Sequence, residues 1–220
     1  PSYKRINKFV YIFKSISNKI LLTRSLIRLI FLNLILRTIF SRNLSLKEGT
    51  KEDIYLIKSH FYNSSVSTMG KYYDAFFPGL EKFLNRKVFY IVHVQENFFK
   101  SVYSLKKISK KNVMPYEYFI RLRDIFNAYF KILFIKNFNF DEATLYGVNI
   151  SEPLELEYRM TCISLNNLLF YDSIREFIKK TKVKKAYFTF ENISWENMFT
   201  LSFKDHSKET ELIGYQHTVV

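Results

Sequence analysis

The feature that most restricts the fold is the order of apolar patterns near the end of the chain. A β-rich run, Lys184-Lys185-Ala186-Tyr187-Phe188-Thr189-Phe190, delivers Glu191-Asn192; a short helical pattern begins at Trp195; a second β-rich run, Leu212-Ile213-Gly214-Tyr215, ends in Gln216-His217. Two strands joined by one helix lie parallel and side by side, because a parallel pair needs a crossover. An acid at the end of one strand and a Gln-His pair at the end of the next then share the carboxyl edge, where open α/β sheets bind ligands. The sequence stops at Val220, three residues past His217, where a connection to further structure is expected.

The same alternation extends upstream. Glu48 to Asp53 is a polar break, and Ile54-Tyr55-Leu56-Ile57 after it reads as a short buried strand, with His60 in the loop beyond its carboxyl end. A helical region is expected from Lys71 to Arg86, punctuated by Pro78-Gly79, and Val88 to Val94 is the clearest strand. Ile125, Phe126, Tyr129, Phe130, Leu133 and Phe134 recur with helical period, predicting a helix over Tyr116 to Asn137. Ser151-Glu152-Pro153 reads as the start of another helix running to Thr181, with a break at Asn166-Asn167. Alternating strands and helices predict a parallel, Rossmann-like α/β sheet. The expected organisation is a basic, apolar helical arm over 1–47 and a Rossmann-like domain over 48–220.

Charge separates these two parts. Pro1 to Lys47 holds ten basic residues and no acid, so of the net +14 only +4 remains for the rest. Such an arm suits an anionic lipid surface, a nucleic acid or a phosphorylated substrate. A competing explanation is an A/T-rich genome, which enriches Lys, Ile, Asn, Phe and Tyr without a functional cause. Arg24, Arg28 and Arg37 interrupt the apolar stretch from Ile20 to Phe40 and argue against a membrane span. No RNP, helix-turn-helix or KH pattern organises the aromatics and lysines for nucleic acid. The single Cys162 excludes a disulfide framework, has no Cys partner for zinc, and fits a reducing compartment.

Glu191, emerging at the carboxyl edge, can serve as a general base toward an attacking hydroxyl, or as a carboxylate that caps the next helix. Glu196 in the first helical turn suits the helix dipole. Trp195, the only tryptophan, is a core residue or a platform for a sugar ring. Gly214-Tyr215-Gln216-His217 combines close backbone approach with an amide and an imidazole able to grip hydroxyls or phosphate. His60 ends an equivalent strand and brings a third strand end to the cleft; His93, inside an apolar run, reads as a core histidine. No phosphate-binding glycine loop, nucleophile elbow, zinc motif or D-x-D pair is present.

The combination Glu191-Asn192-x-x-Trp195-Glu196, a helix of roughly ten residues, and Ile213-Gly214-Tyr215-Gln216-His217 resembles bacterial surface-carbohydrate biosynthesis proteins of the GT-B glycosyltransferase type. The resemblance covers about residues 155–220. It implies the amino-terminal, acceptor-side half of a two-domain enzyme that moves a sugar from a nucleotide donor to a capsule or lipopolysaccharide glycan. By position Glu191 is then the candidate base, with Trp195, Glu196, Gln216 and His217 lining the cleft, while the family alone does not settle which acid is catalytic; the strand-end reading adds Asn192 and His60 to the same edge. The acceptor would be a glycan or lipid-linked glycan; the nucleotide-sugar donor belongs to a second domain not contained in this segment, which itself carries no metal. The expected location is cytoplasmic, peripheral to an anionic inner membrane. The alternative is a noncatalytic membrane-surface scaffold with a Rossmann-like body.

Overall fold

A computed structural model describes residues 8–40, 53–84, 87–108, 112–134, 144–145, 148–149, 162–190 and 193–216. The chain divides into two compact units, 1–32 with 121–169, and 33–120 with 170–220. The second holds a five-stranded sheet built from β1 (Asp53–Phe61), β2 (Val88–Val94), β3 (Val113–Pro115), β6 (Lys182–Thr189) and β7 (Glu211–Tyr215). Their order is β3-β2-β1-β6-β7, with every neighbouring pair parallel. The protein is therefore α/β with a Rossmann-like sheet, as the alternation predicts. The first unit contains a short antiparallel pair that the sequence patterns do not predict, β4 (Thr144–Leu145) and β5 (Val148–Asn149).

The strand order records the route of the chain. From the central β1 the chain moves outward through β2 to β3, then returns to the other side of β1 with β6 and continues to β7. The direction of winding reverses between β1 and β6, and that is the switch point at which a crevice opens outside the carboxyl ends of the strands. Pairing register assigns side chains to faces, since successive residues of a strand point to opposite sides. Leu56, Lys58 and His60 of β1 align with Phe89, Ile91 and His93 of β2, and Leu56 and Lys58 align with Ala186 and Phe188 of β6. Helices Cys162–Lys180 and Ser194–His206 cover this face through Phe177 against Phe89, with ring centroids 5.0 Å apart, and Phe199 against Phe188 at 5.2 Å.

The opposite face carries Ile57, Phe61 and Tyr90, and here the structure departs from the expected Lys71 to Arg86 helix. Only Leu80–Leu84 is helical. Asp74 Oδ1 accepts the backbone N–H groups of Phe76 and Phe77, each at 2.9 Å, which closes a side-chain turn in competition with a helix. Gly70 and Gly79 hold φ of 74° and 76°, and Pro78 precedes the second of these. The Tyr116 to Asn137 expectation is also too long: Tyr116–Tyr118 is a 3-10 turn and the helix is Leu122–Leu133. The expected break at Asn166-Asn167 does not occur, because Cys162–Lys180 is one continuous helix; the cap at Ser151 lies outside the described residues.

The amino-terminal helix, Lys8–Phe40, continues into the sheet unit from Asn33 onward. Asn33 is wholly buried, and its amide donates to the carbonyls of Glu117 and Ile120 at 2.8 and 2.7 Å. Leu36 and Phe40 on the same stretch are buried. The end of this helix is thus held by core packing and by two buried hydrogen bonds, each typically worth about 1 kcal/mol, with a further cost when a buried carbonyl is left bare. Asn33→Ala should lower the unfolding free energy by about 2–3 kcal/mol, a loss readable as a reduced urea midpoint at unchanged m-value.

Candidate functional site

Lys58 sits at the switch point with no solvent exposure, within the buried run Leu56–Ser59 of β1. Its Nζ lies 3.0 Å from the centroid of the Trp195 ring and 6.0 Å from that of Phe170. An ammonium over an indole face is attracted by the ring quadrupole, and the interaction gains strength when both partners are shielded from water. The strand supplies the lysine, while the start of the Ser194–His206 helix, which follows β6, supplies the indole. A sequence reading misses Lys58, because a lysine within an apolar run looks like a solvent-facing position.

His60 follows Lys58 by two residues on the same face. Its ring lies 6.0 Å from Trp195, edge to face, 6.1 Å from His93 and 5.4 Å from Phe76. The Gln95 side-chain amide is hydrogen-bonded to His60 Nδ1, which fixes the orientation of the imidazole. His60 belongs to β1 and not to a loop beyond it, because the strand extends to Phe61. His93, read from sequence as a core residue, is half-buried and packs against Tyr116 at 5.1 Å. Around these residues the strand ends are tied together: Gln95 N donates to Phe61 O, and Asn63 N donates to Glu96 Oε2 at 2.9 Å.

Among the residues singled out from sequence, His60 and Trp195 come together. Glu196 is buried, with its Oε2 accepting the Ile193 backbone N–H at 3.1 Å. That contact satisfies one donor at the helix start and places a negative charge near the positive end of the dipole, which is the capping role. Gln216 is exposed just after β7. Gly214 serves packing: a Cβ there would stand 3.1 Å from Phe190 Cβ and 3.4 Å from Phe188 Cζ. β6 and β7 are parallel neighbours, as expected. Glu191, Asn192 and His217 lie outside the described residues.

The arrangement combines a buried cation, two imidazoles, a tyrosine and an indole at one carboxyl edge. It can stack a ring on aromatic walls, hydrogen-bond hydroxyls through histidine, and present positive potential to a developing or standing negative charge. Among the described residues no three His, Cys, Asp or Glu side chains converge as a metal site. The fold defines a Rossmann-like α/β protein in which Lys58, His60, His93 and Trp195 gather on one face of the parallel sheet. Comparison with protein-family models, curated proteins and solved structures returns no match.

The lysine–indole contact should be visible in stability. Trp195→Leu removes the ring from a buried ammonium and should cost about 2 kcal/mol or more, whereas Trp195→Phe retains an aromatic face and should cost less. Urea unfolding monitored by circular dichroism separates the two; equal losses would show that the indole contributes only bulk.

Proposed function

We propose that the chain is the acceptor-side, Rossmann-like part of a GT-B type glycosyltransferase of bacterial surface polysaccharide biosynthesis, in which a sugar passes from a nucleotide donor to a glycan or lipid-linked glycan. The observation that carries this reading is the convergence of Lys58, His60 and Trp195 at the switch point of a parallel sheet. Trp195 offers an apolar edge to a sugar ring, and His60 and His93 offer hydrogen bonds to its hydroxyls. The field of Lys58 favours a negatively charged group nearby. Glu191, next in sequence after β6 and Phe190, is the proposed base that takes the proton of the attacking hydroxyl; Asn192, Gln216 and His217 are proposed to complete the cleft. Asp74 is unsuited to that task, because its oxygens hold the turn and the Tyr72 hydroxyl on the opposite face.

Because Trp195 is the only tryptophan, its emission reports ligand entry directly. Titration with nucleotide sugars and with oligosaccharide acceptors should give a saturable change with at least one acceptor, weakened in His60→Ala. In a protein that also carries the nucleotide-binding domain, Glu191→Gln should lower turnover by a factor on the order of 100 to 10,000. Normal turnover in that variant removes Glu191 from the chemistry.

The second reading, a scaffold at a membrane surface, draws on the amino-terminal helix. Phe13, Ile16, Ile20, Leu21, Ile27 and Phe31 are exposed there beside exposed Lys19, Arg24 and Arg28. Among the described residues no helix is long and apolar enough to cross a membrane, so the proposed association is peripheral and electrostatic in part. Flotation with anionic vesicles should recover the protein and should fall as salt rises. Recovery equal on zwitterionic vesicles, or none on anionic ones, ends the membrane reading. Flotation together with no Trp195 response to any saccharide favours the scaffold over the enzyme.

A further inference from the structure

The helix Leu122–Leu133 buries one apolar face and exposes another. Ile125, Ala128 and Ile132 are buried. Phe126, Phe130 and the capping Phe134 follow one another at four-residue spacing, which sets them in line along the helix, and they are 43%, 50% and 70% exposed. The Phe130 and Phe134 rings stack with centroids 6.1 Å apart and planes 10° apart. Arg123, Asn127 and Lys131, all exposed, run beside this line at the same spacing. The one acid of the helix, Asp124, is buried, and the Arg121 guanidinium donates to it at 2.8 Å, so it brings no negative charge to the aromatic line. A row of exposed rings of this kind marks an interaction surface.

The amino-terminal helix repeats the combination within the same compact unit. Leu22 and Leu29 are buried, whereas Phe13, Ile16, Ile20 and Ile27 are exposed; at 100° per residue these two sets fall on opposite sides of the helix. Lys19, Arg24 and Arg28 are exposed among them, and the whole helix Lys8–Phe40 contains no acid. A direct contact joins the two exposed sets: Thr23 Oγ1 lies 3.1 Å from the Tyr129 hydroxyl, and the Tyr129 ring meets that of Phe130 edge to face at 5.5 Å. Charge selects the occupant. A second copy packed on this surface face to face would bring Arg123, Lys131 and Arg24 toward their own equivalents with no exposed acid on either helix to offset them. An anionic lipid surface supplies phosphates for the basic residues and an acyl boundary for the rings.

We propose that Phe126, Phe130 and Phe134 form a wedge that enters the headgroup–acyl boundary of an anionic bilayer, with Arg123 and Lys131 held at the lipid phosphates. The inference rests on the peripheral association proposed for the amino-terminal helix and adds a second, inserting element. Two helices in contact then meet the bilayer together, which fixes the orientation of their unit on the surface where one helix alone would leave it free to roll.

The test uses the full chain and vesicles of equal parts phosphatidylcholine and phosphatidylglycerol. Replacing two rings together, Phe126→Ser with Phe130→Ser, should lower vesicle partitioning about tenfold or more, because the apolar area withdrawn from water on insertion is lost. In a second measurement, Phe130→Trp should add emission that bromine carried on the acyl chains quenches, with the unchanged chain and its single Trp195 as the baseline. Arg24→Glu with Arg28→Glu probes the amino-terminal helix separately. Loss of flotation in that charge variant, together with full flotation in the serine variant, overturns the wedge and leaves the peripheral association standing; failure of the unchanged chain to float removes both. Absence of bromine quenching of the new indole in protein that floats overturns the insertion. A doubled mass in solution that the serine variant abolishes, without quenching, assigns the aromatic line to a second copy of the chain instead.

Discussion

Everything in the sheet unit depends on β1 being paired on both sides in parallel. Its alignment with β2 puts His60 opposite His93, and its alignment with β6 puts Lys58 opposite Phe188. A slip of one residue would send every β1 side chain to the other face. Lys58 would then leave the indole, and Ile57 would face the helices. The buried ammonium thus acts as a strong constraint on register, because an alternative pairing would strand a charge in a different apolar environment. The irregularity between Ile54 and Tyr55 in the β1–β6 pairing lies before this region, so the register is regular where the site is built.

Much of this architecture is legible in the sequence for a simple reason. The runs around Ile54, Val88, Ala186 and Leu212 are dense in β-branched and aromatic residues, and the helical periods between them force parallel connections. The boundaries are less legible where local chemistry overrides pattern. Between Lys71 and Arg86 the spacing of apolar residues imitates a helix, but the Asp74 carboxylate captures two backbone N–H groups and Gly79 turns the chain. β3 escapes notice because three residues, Val113 to Pro115, are too few to establish a period.

The candidate site divides in the same way. Trp195 and His60 can be chosen from sequence because each follows or ends a strand pattern at the carboxyl edge. Lys58 and Gln95 cannot, since the significance of each comes from a partner distant in sequence: an indole at the start of a later helix for one, an imidazole on the neighbouring strand for the other. Gly214 illustrates the reverse error. Its conformational freedom suggests room for a ligand, while the space above it is occupied by Phe188 and Phe190.

The two borders of the sheet differ in a way that bears on self-association. On one side the sheet stops at β3, three residues long and closed by a proline that cannot donate to a further ladder. On the other, among the described residues, it stops at β7, five residues long with Glu211, Gly214 and Tyr215 exposed. Outward amide and carbonyl groups on a strand of that length are a template on which another extended segment can align. Among the described residues, growth of the sheet is therefore disfavoured at β3 and favoured at β7, so a strand added from outside finds the longer row of amide and carbonyl groups at the β7 border.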